Sequence, residues 1–307
     1  VNGFCIGFHY TIATIDPENN YYGFVVEEVY PNSQAEAAGV LRGDVITKIG
    51  GVNISASNYY QHFTSIENNS ATQLKMSLKR QTNGEVYDVT LNKSAYSKTP
   101  VLHHEVIDVE GKRIGYLVYT SFVAEYDQEL VAAIEAMKSE GVEEFILDLR
   151  CNGGGSMNSA ITLCSALVPE RYNGAVWCSV ERNKRNTQME QSSEFRLKDA
   201  GKMLSLERLT VICSGYSASA SELVIMGLRG LDFPVTLIGS QTEGKNCGMD
   251  VTRKNIDGIT LEFAPITFLC FDAKGFGGWG EGIKPDVDLT NEDNEMGVSD
   301  RNYLLPR

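Results

Sequence analysis

Apolar and polar residues alternate through much of the first ninety positions. "CIGFHYTIAT" and "YGFVVEEVY" have the rhythm of half-buried strands. "LKMSLKR" and "EVYDVTL" flank Gln81-Thr82-Asn83-Gly84 as the arms of a hairpin. Between these pairs, "PNSQAEAAGVLRGDVITKIGG" predicts a short helix over 33–38 closed by Gly39. A tight turn at Arg42-Gly43-Asp44 follows, then a strand over 45–49. Residues 92–100 are polar and end in proline, as a linker would.

From Lys112 the period lengthens and strands alternate with helices. A strand over 113–119 precedes a helix over 127–140, with Leu130, Ile134 and Met137 on one stripe and Gly141 at its end. Residues 145–149 form a nearly unbroken apolar run, the mark of a strand covered on both faces. A second helix is predicted over 158–167 and a strand over 176–180, with a polar surface excursion up to 208. A third helix runs to Arg229, carrying Leu223, Val224, Met226 and Leu228. Strands over 209–213, 235–238 and 260–263 complete the set. This alternation implies a mainly parallel sheet covered by helices.

Composition narrows the class. The 307 residues are 42% hydrophobic and 22% charged, as in a folded globular chain. The net charge of −13 argues against nucleic-acid binding, whose footprint is basic. No apolar segment approaches the roughly 18–20 residues a membrane-spanning helix needs, and no signal segment opens the chain. It begins on Val1 without Met, which reads as a trimmed or processed start. The seven cysteines are scattered, with neither a CxxC pair nor a Cys/His cluster. No zinc site and no disulfide framework is therefore expected.

Three stretches offer chemistry. "DLRCNGGGS" follows a buried strand, and its glycines allow a sharp turn whose N–H groups could meet an anion or simply turn the chain. "SGYSASASEL", Ser214 to Leu223, opens a helix. Ser219 with Glu222 fits a capping box, and equally places a hydroxyl at the positive end of a helix. A nucleophilic serine needs a base, yet the last of the four histidines is His104. "TEGKNCG" offers Lys245 in a glycine-flanked loop after a strand; buried lysines lose their proton more easily. Each stretch alone has a purely structural reading.

Taken in order, "LDLRCNGGGS", "SASASE", "TEGKN" and "GEGIKPDVDL" resemble the "DLRxNPGG", "SASASE", "TFGKG" and "GxGIxPD" segments of the carboxy-terminal processing peptidases, or tail-specific proteases. Ahead of them, the 31–51 stretch resembles a PDZ segment, and "CIGFHY" is similar to the loop with which PDZ domains capture a terminal carboxylate. The resemblance implies an α/β chain with a crotonase- or ClpP-like serine protease core, preceded by a small β-rich PDZ domain. It implies Ser219 as nucleophile, Lys245 as general base, and the N–H groups of Gly154 and Ala220 as the oxyanion hole. It puts the peptide-binding loop on Ile6, Gly7 and Phe8. Three positions depart from the pattern: Gly153 replaces a proline, Glu243 stands two residues before the lysine, and Met249 stands where several members have glutamine.

The expected domains are a PDZ-like domain over 1–93, a linker over 94–111 and a Ser/Lys protease domain over 112–307. The expected function is a serine endopeptidase acting on unstructured C-terminal tails through an acyl-enzyme. Polypeptides with free C-termini would be its partners, with no cofactor and no metal, in the cell envelope or periplasm. The alternative is a catalytically dormant, PDZ-containing scaffold on the same fold. An enoyl-CoA hydratase-like enzyme fits poorly, because such an enzyme has no use for a PDZ module.

Overall fold

The computed structural model describes residues 2–16, 18, 21–67, 72–97, 99–185 and 190–290. The chain divides into two compact units, with the boundary between Thr99 and Pro100.

The first unit holds β1 (Asn2–Cys5), β2 (Phe8–Asp16), β3 (Tyr21–Val29), α1 (Gln34–Ala37), β4 (Val45–Ile49), β5 (Val52–Asn53), α2 (Tyr59–Glu67), β6 (Gln73–Lys79), β7 (Val86–Asn92) and β8 (Ser94–Ser97). Its main sheet runs in the order β2-β3-β4-β6-β7, with β5 paired to β4. Alternation decides which face is buried: Leu74, Met76 and Leu78 of β6 point inward with Phe24, Val26 and Ile46, while Gln73, Lys75 and Lys79 stay exposed. Ser33 caps α1 by accepting the Glu36 N–H, and the Glu36 carboxylate returns a bond to the Asn32 N–H. The buried Asp44 fixes the following turn by accepting from the Leu41 N–H and the Tyr87 hydroxyl. Burial pushes its carboxyl above the ordinary range, and these donors oppose that shift.

The second unit holds β9 (Val101–Val109), β10 (Lys112–Tyr119), α3 (Asp127–Ser139), β11 (Glu144–Asp148), α4 (Met157–Leu167), β12 (Val176–Arg182), β13 (Ser192–Arg196), β14 (Leu209–Cys213), α5 (Ala220–Gly230), β15 (Val235–Gly239), β16 (Cys247–Met249), β17 (Thr252–Ile256), β18 (Ile259–Phe263), β19 (Ile266–Asp272) and β20 (Val287–Asp288). The main sheet has the order β20-β15-β14-β11-β10-β9, parallel except for β9. Its core joins Leu117, Leu147 and Val211 of the sheet to Leu130 and Ile134 of α3, Leu163 of α4 and Val224 of α5. A second sheet, β13-β12-β19-β16, packs on α5, and β17 and β18 pair as a separate hairpin.

Two expectations change. The stretch read as a linker over 94–111 contains β8 and β9, and β9 is the antiparallel edge strand of the main sheet. His103, His104 and Glu105 gave it a polar look because an edge strand is half solvated. Residues 260–263 belong to an exposed hairpin, and the short β20 closes the sheet instead. The last part of the expected protease domain, 291–307, lies outside the described residues.

Candidate active site

The parallel strands β11 and β14 lie side by side, with Ile146 beside Thr210 and Asp148 beside Ile212. The loops that leave their C-terminal ends therefore emerge together, where open α/β sheets build their sites. The loop after β11 carries Asn152 and the three glycines. The loop after β14 carries the serine run and enters α5.

The serines have separate tasks. The Ser217 hydroxyl donates to the Leu149 carbonyl (2.8 Å), that of Ser221 to the Asn152 carbonyl (2.8 Å), and that of Ser214 to the Arg150 carbonyl. Three of the four thus stitch the second loop to the first. The Ser219 hydroxyl donates to no acceptor among the described residues. Ser219 sits at the N-cap of α5 with φ 58° and ψ −115°, a left-handed conformation that costs a side-chain-bearing residue about 1–3 kcal/mol. The positive end of the α5 dipole lies at this serine.

Glu222 holds that strained turn in place. It is fully buried, at 0% exposure, and its carboxylate accepts four hydrogen bonds. One oxygen, Oε2, takes the Ser219 N–H (2.9 Å) and the Lys245 N–H (2.8 Å). The other, Oε1, takes the Thr242 hydroxyl (2.6 Å) and the Gly244 N–H (2.8 Å). The backbone nitrogens of Ser219 and Lys245 therefore share a single oxygen atom. Reading the sequence found Glu222 only as a capping partner. Its further signal is a lone carboxylate followed by three apolar residues, Leu223, Val224 and Ile225, in a helix that is buried on every side there.

The Lys245 loop is braced from its other side. Thr242 exchanges bonds with Ile283, its N–H donating to the Ile283 carbonyl (3.1 Å) and its hydroxyl accepting the Ile283 N–H (2.7 Å). Gly282 needs to be glycine: at φ 88°, a Cβ there would stand 2.2 Å from the Thr242 carbonyl oxygen. Lys245 is half-buried and makes no ion pair among the described residues. Glu243 is exposed, with its N–H donating to the Ser217 carbonyl (3.1 Å). Met249 lies on β16 opposite Ile266 and is exposed.

Asp148 and Arg150 anchor the first loop. Both are buried, and the guanidinium forks onto the carboxylate, which also accepts the Tyr116 hydroxyl (2.8 Å). Burial opposes the Arg150 charge, but the bonds to Asp148 outweigh it and raise the pKa. Beyond Arg150, the Asn152 side chain donates to the Tyr119 carbonyl (2.9 Å) and accepts the Gly154 N–H (2.9 Å). Gly154 lies against Ser219 and Ala220, and its N–H is turned to Asn152. The N–H groups of Ala220, Gly153 and Gly155 make no hydrogen bond among the described residues. A Cβ on Gly154 would fall 2.7 Å from Ser219 Cβ and 2.8 Å from the Ala218 carbonyl oxygen, at φ 103°. Gly154→Ala is therefore expected to displace Ser219 and to cut kcat/KM on a peptide at least about 100-fold, the effect of roughly 1 Å of misplacement. Rate measurements beside a thermal melt check this.

In the first unit, Ile6 and Phe8 are buried at 3% exposure and point into the core, so only their backbone is available to a ligand. Gly7, at φ 95°, lies so close to Ser33 that a Cβ would sit 2.8 Å from Ser33 Cβ, and its carbonyl accepts the Tyr30 N–H (2.9 Å). Tyr10 of β2 reaches α2, where its hydroxyl donates to Glu67 (2.6 Å) and its ring meets Phe63 edge-on. Among the described residues no cluster of His, Cys, Asp and Glu could hold a metal ion, and no helix is long and apolar enough to cross a membrane.

A covered parallel sheet whose loops bring a strained helix-capping serine beside a lysine loop, preceded by a small β-rich unit, has the architecture of a serine peptidase with a PDZ domain. The chain belongs to peptidase family S41: the family model matches residues 113–289, and a PDZ-domain model matches residues 25–77. It is 28% identical over 258 residues to a "Probable CtpA-like serine protease" of Staphylococcus aureus, covering 84% of this chain and 48% of that protein. It is 26% identical to the carboxy-terminal processing protease CtpA of Bacillus subtilis, covering 83% and 51%. The chain thus spans about half the length of the curated relatives it matches. The fold is similar to that of a "Putative S41 protease" from Bacteroides fragilis, with a TM-score of 0.77 and 23% identity over 100% of this chain and 79% of that one. A photosystem II D1 C-terminal processing protease aligns with a TM-score of 0.53 and 20% identity, covering 94% and 73%.

Proposed function

We infer that the protein is a serine endopeptidase in which Ser219 is the nucleophile and Lys245 the general base. The shared Glu222 oxygen carries this reading, because it fixes the backbones of both residues at one point. Ser219 Oγ attacks the scissile carbonyl carbon while its proton passes to the Lys245 amine. The oxyanion is held by the Ala220 N–H, joined by a free N–H of the Gly153–Gly155 run in place of that of Gly154. Collapse of the tetrahedral intermediate breaks the C–N bond, and the Lys245 ammonium returns the proton to the departing amine. Water then attacks the acyl-enzyme, giving its proton to Lys245, and Ser219 is regenerated.

The substrates in this reading are polypeptides with unstructured tails. The tail's terminal carboxylate is captured on the backbone N–H groups of the Ile6-Gly7-Phe8 loop, and the protein works in the cell envelope. Removing the carboxylate tests the capture step. Amidating the C-terminus of an apolar-tailed peptide is expected to lower kcat/KM about 10-fold or more, since hydrogen bonds to a charged group are worth about 1.5–3 kcal/mol. A fluorophosphonate probe is expected to label the protein at Ser219. Capture of free-tailed peptides with neither cleavage nor labelling would assign the chain to the scaffold alternative.

A further inference from the structure

The serine loop and the lysine loop leave adjacent parallel strands, with Cys213 at the end of β14 beside Gly239 at the end of β15. They stay side by side beyond the sheet: the Ser240 N–H donates to the Cys213 carbonyl (3.2 Å) and the Glu243 N–H to the Ser217 carbonyl (3.1 Å). At the second of these bonds each loop has one residue turned in and a neighbour turned out. Ser217 and Thr242 are buried, at 0% and 4% exposure, and their hydroxyls are taken up by the Leu149 carbonyl and by Glu222. Tyr216 is 60% exposed, and Glu243 is exposed too. The Glu243 carboxylate makes no hydrogen bond and no ion pair among the described residues, with Lys245 or with any other cation. Glu243 is also one of the positions at which the chain departs from the family pattern, so the shared mechanism gives it no task.

A solvent-facing carboxylate and a solvent-facing aromatic ring on neighbouring backbones offer a cation two kinds of contact, an ion pair and the face of a ring. We propose, resting on the reading of Ser219 and Lys245 given above, that Glu243 and Tyr216 make the enzyme select polypeptides with lysine or arginine close to the scissile bond. Position sets the reach. Glu243 is one hydrogen bond from Ser217, and Ser217 is two residues from the nucleophile. An extended substrate advances about 3.3 Å per residue, so side chains within about three residues of the bond that Ser219 attacks pass the carboxylate. That span is comparable with the roughly 8 Å over which charges act in physiological salt. Sign sets the class. The other carboxylate of the site, Glu222, is buried and accepts four donors, so it offers nothing to a substrate. The loop that braces Lys245 adds one exposed charge of each sign, Glu281 and Lys284. Glu243 is left to attract a cation, and an aspartate or glutamate on the substrate meets it as a like charge.

The test is a series of peptides with one apolar, free-acid tail, in which lysine, glutamine or glutamate occupies in turn each position near the cleaved bond. Wild type is expected to favour lysine over glutamine about 10-fold in kcat/KM at one position or two adjacent ones, the combined scale of an exposed ion pair and a cation–π contact. Glutamate should be disfavoured there. Glu243→Gln should bring lysine within about 3-fold of glutamine, Glu243→Lys should favour glutamate, and Tyr216→Leu should weaken the lysine preference. Glu110→Gln changes an exposed carboxylate in the turn between β9 and β10, at the opposite end of the sheet, and should leave the preference as in wild type. All four variants change exposed residues, and matching circular dichroism confirms their folding. Equal cleavage of the three peptides, or a lysine preference that survives Glu243→Gln, overturns the proposal and leaves the Ser219/Lys245 reading standing. An effect of Glu243→Gln that is the same for every peptide, with a displaced pH–rate profile, also overturns it and makes the carboxylate act on Lys245. A wild type that cleaves no peptide and takes no fluorophosphonate at Ser219 overturns both readings.

Discussion

Ser219→Ala is expected to abolish peptide cleavage, lowering kcat by roughly ten-thousand-fold or more, and to leave the melting temperature almost unchanged. Lys245→Met should match it in rate loss, because the hydroxyl then has no partner to take its proton, and fluorophosphonate labelling should fall in both variants. The competing reading of this serine is structural: a helix cap with no chemistry. That reading predicts the reverse pattern, with normal turnover and a stability loss of about 0.5–2 kcal/mol. The two outcomes separate cleanly because the other three serines of the run already stitch the loop together through the Leu149, Arg150 and Asn152 carbonyls. Removing the Ser219 Oγ takes away none of those bonds, only the acceptor that the Glu222 N–H meets in the capping box. Normal cleavage by either variant would refute the Ser219/Lys245 mechanism.

Much of the architecture is legible because burial leaves a period in the chain. The nearly unbroken apolar runs of β11 and β14 announce strands covered on both faces, and the alternation of β6 announces one covered on a single face. The same logic misleads at 260–263. Ile259, Leu261 and Phe263 alternate as a buried strand does, but among the described residues they are exposed. The pattern encodes an apolar face and is silent about what lies on it. Residues 101–109 fail in the opposite way, since an edge strand keeps enough polar positions to look like a linker. In the candidate site, Ser219 and Lys245 stand out by residue type and order. The direction of the Gly154 N–H does not, because it is set by the Asn152 side chain reaching two residues ahead. Nor does the need for glycine at 282, which comes from the backbone of Thr242, forty residues earlier in the chain.

The second large effect is expected at Glu222, which touches no substrate in the proposed reaction. Each of its oxygens accepts two donors, and the four come from the serine turn and the lysine loop. Glutamine has the same shape but one acceptor oxygen. Whichever way its amide turns, two of the four donors face an NH₂ group in a fully buried position. If Ser219 and Lys245 lose their acceptor, the strained φ 58° turn has nothing to hold it; if Thr242 and Gly244 lose theirs, the lysine loop loosens. Unsatisfied buried groups cost about 1–3 kcal/mol each, so Glu222→Gln is expected to lower stability by about 3 kcal/mol, read from denaturant midpoints. Its kcat is expected to fall about 100-fold or more at temperatures where the variant is still folded. KM for a free-tailed peptide should change little, because tail capture is assigned to the Ile6-Gly7-Phe8 loop in the other unit. A role confined to stability predicts a variant that, once folded, turns over at the wild-type rate. A role in positioning predicts a folded enzyme that binds its peptide and cleaves it slowly.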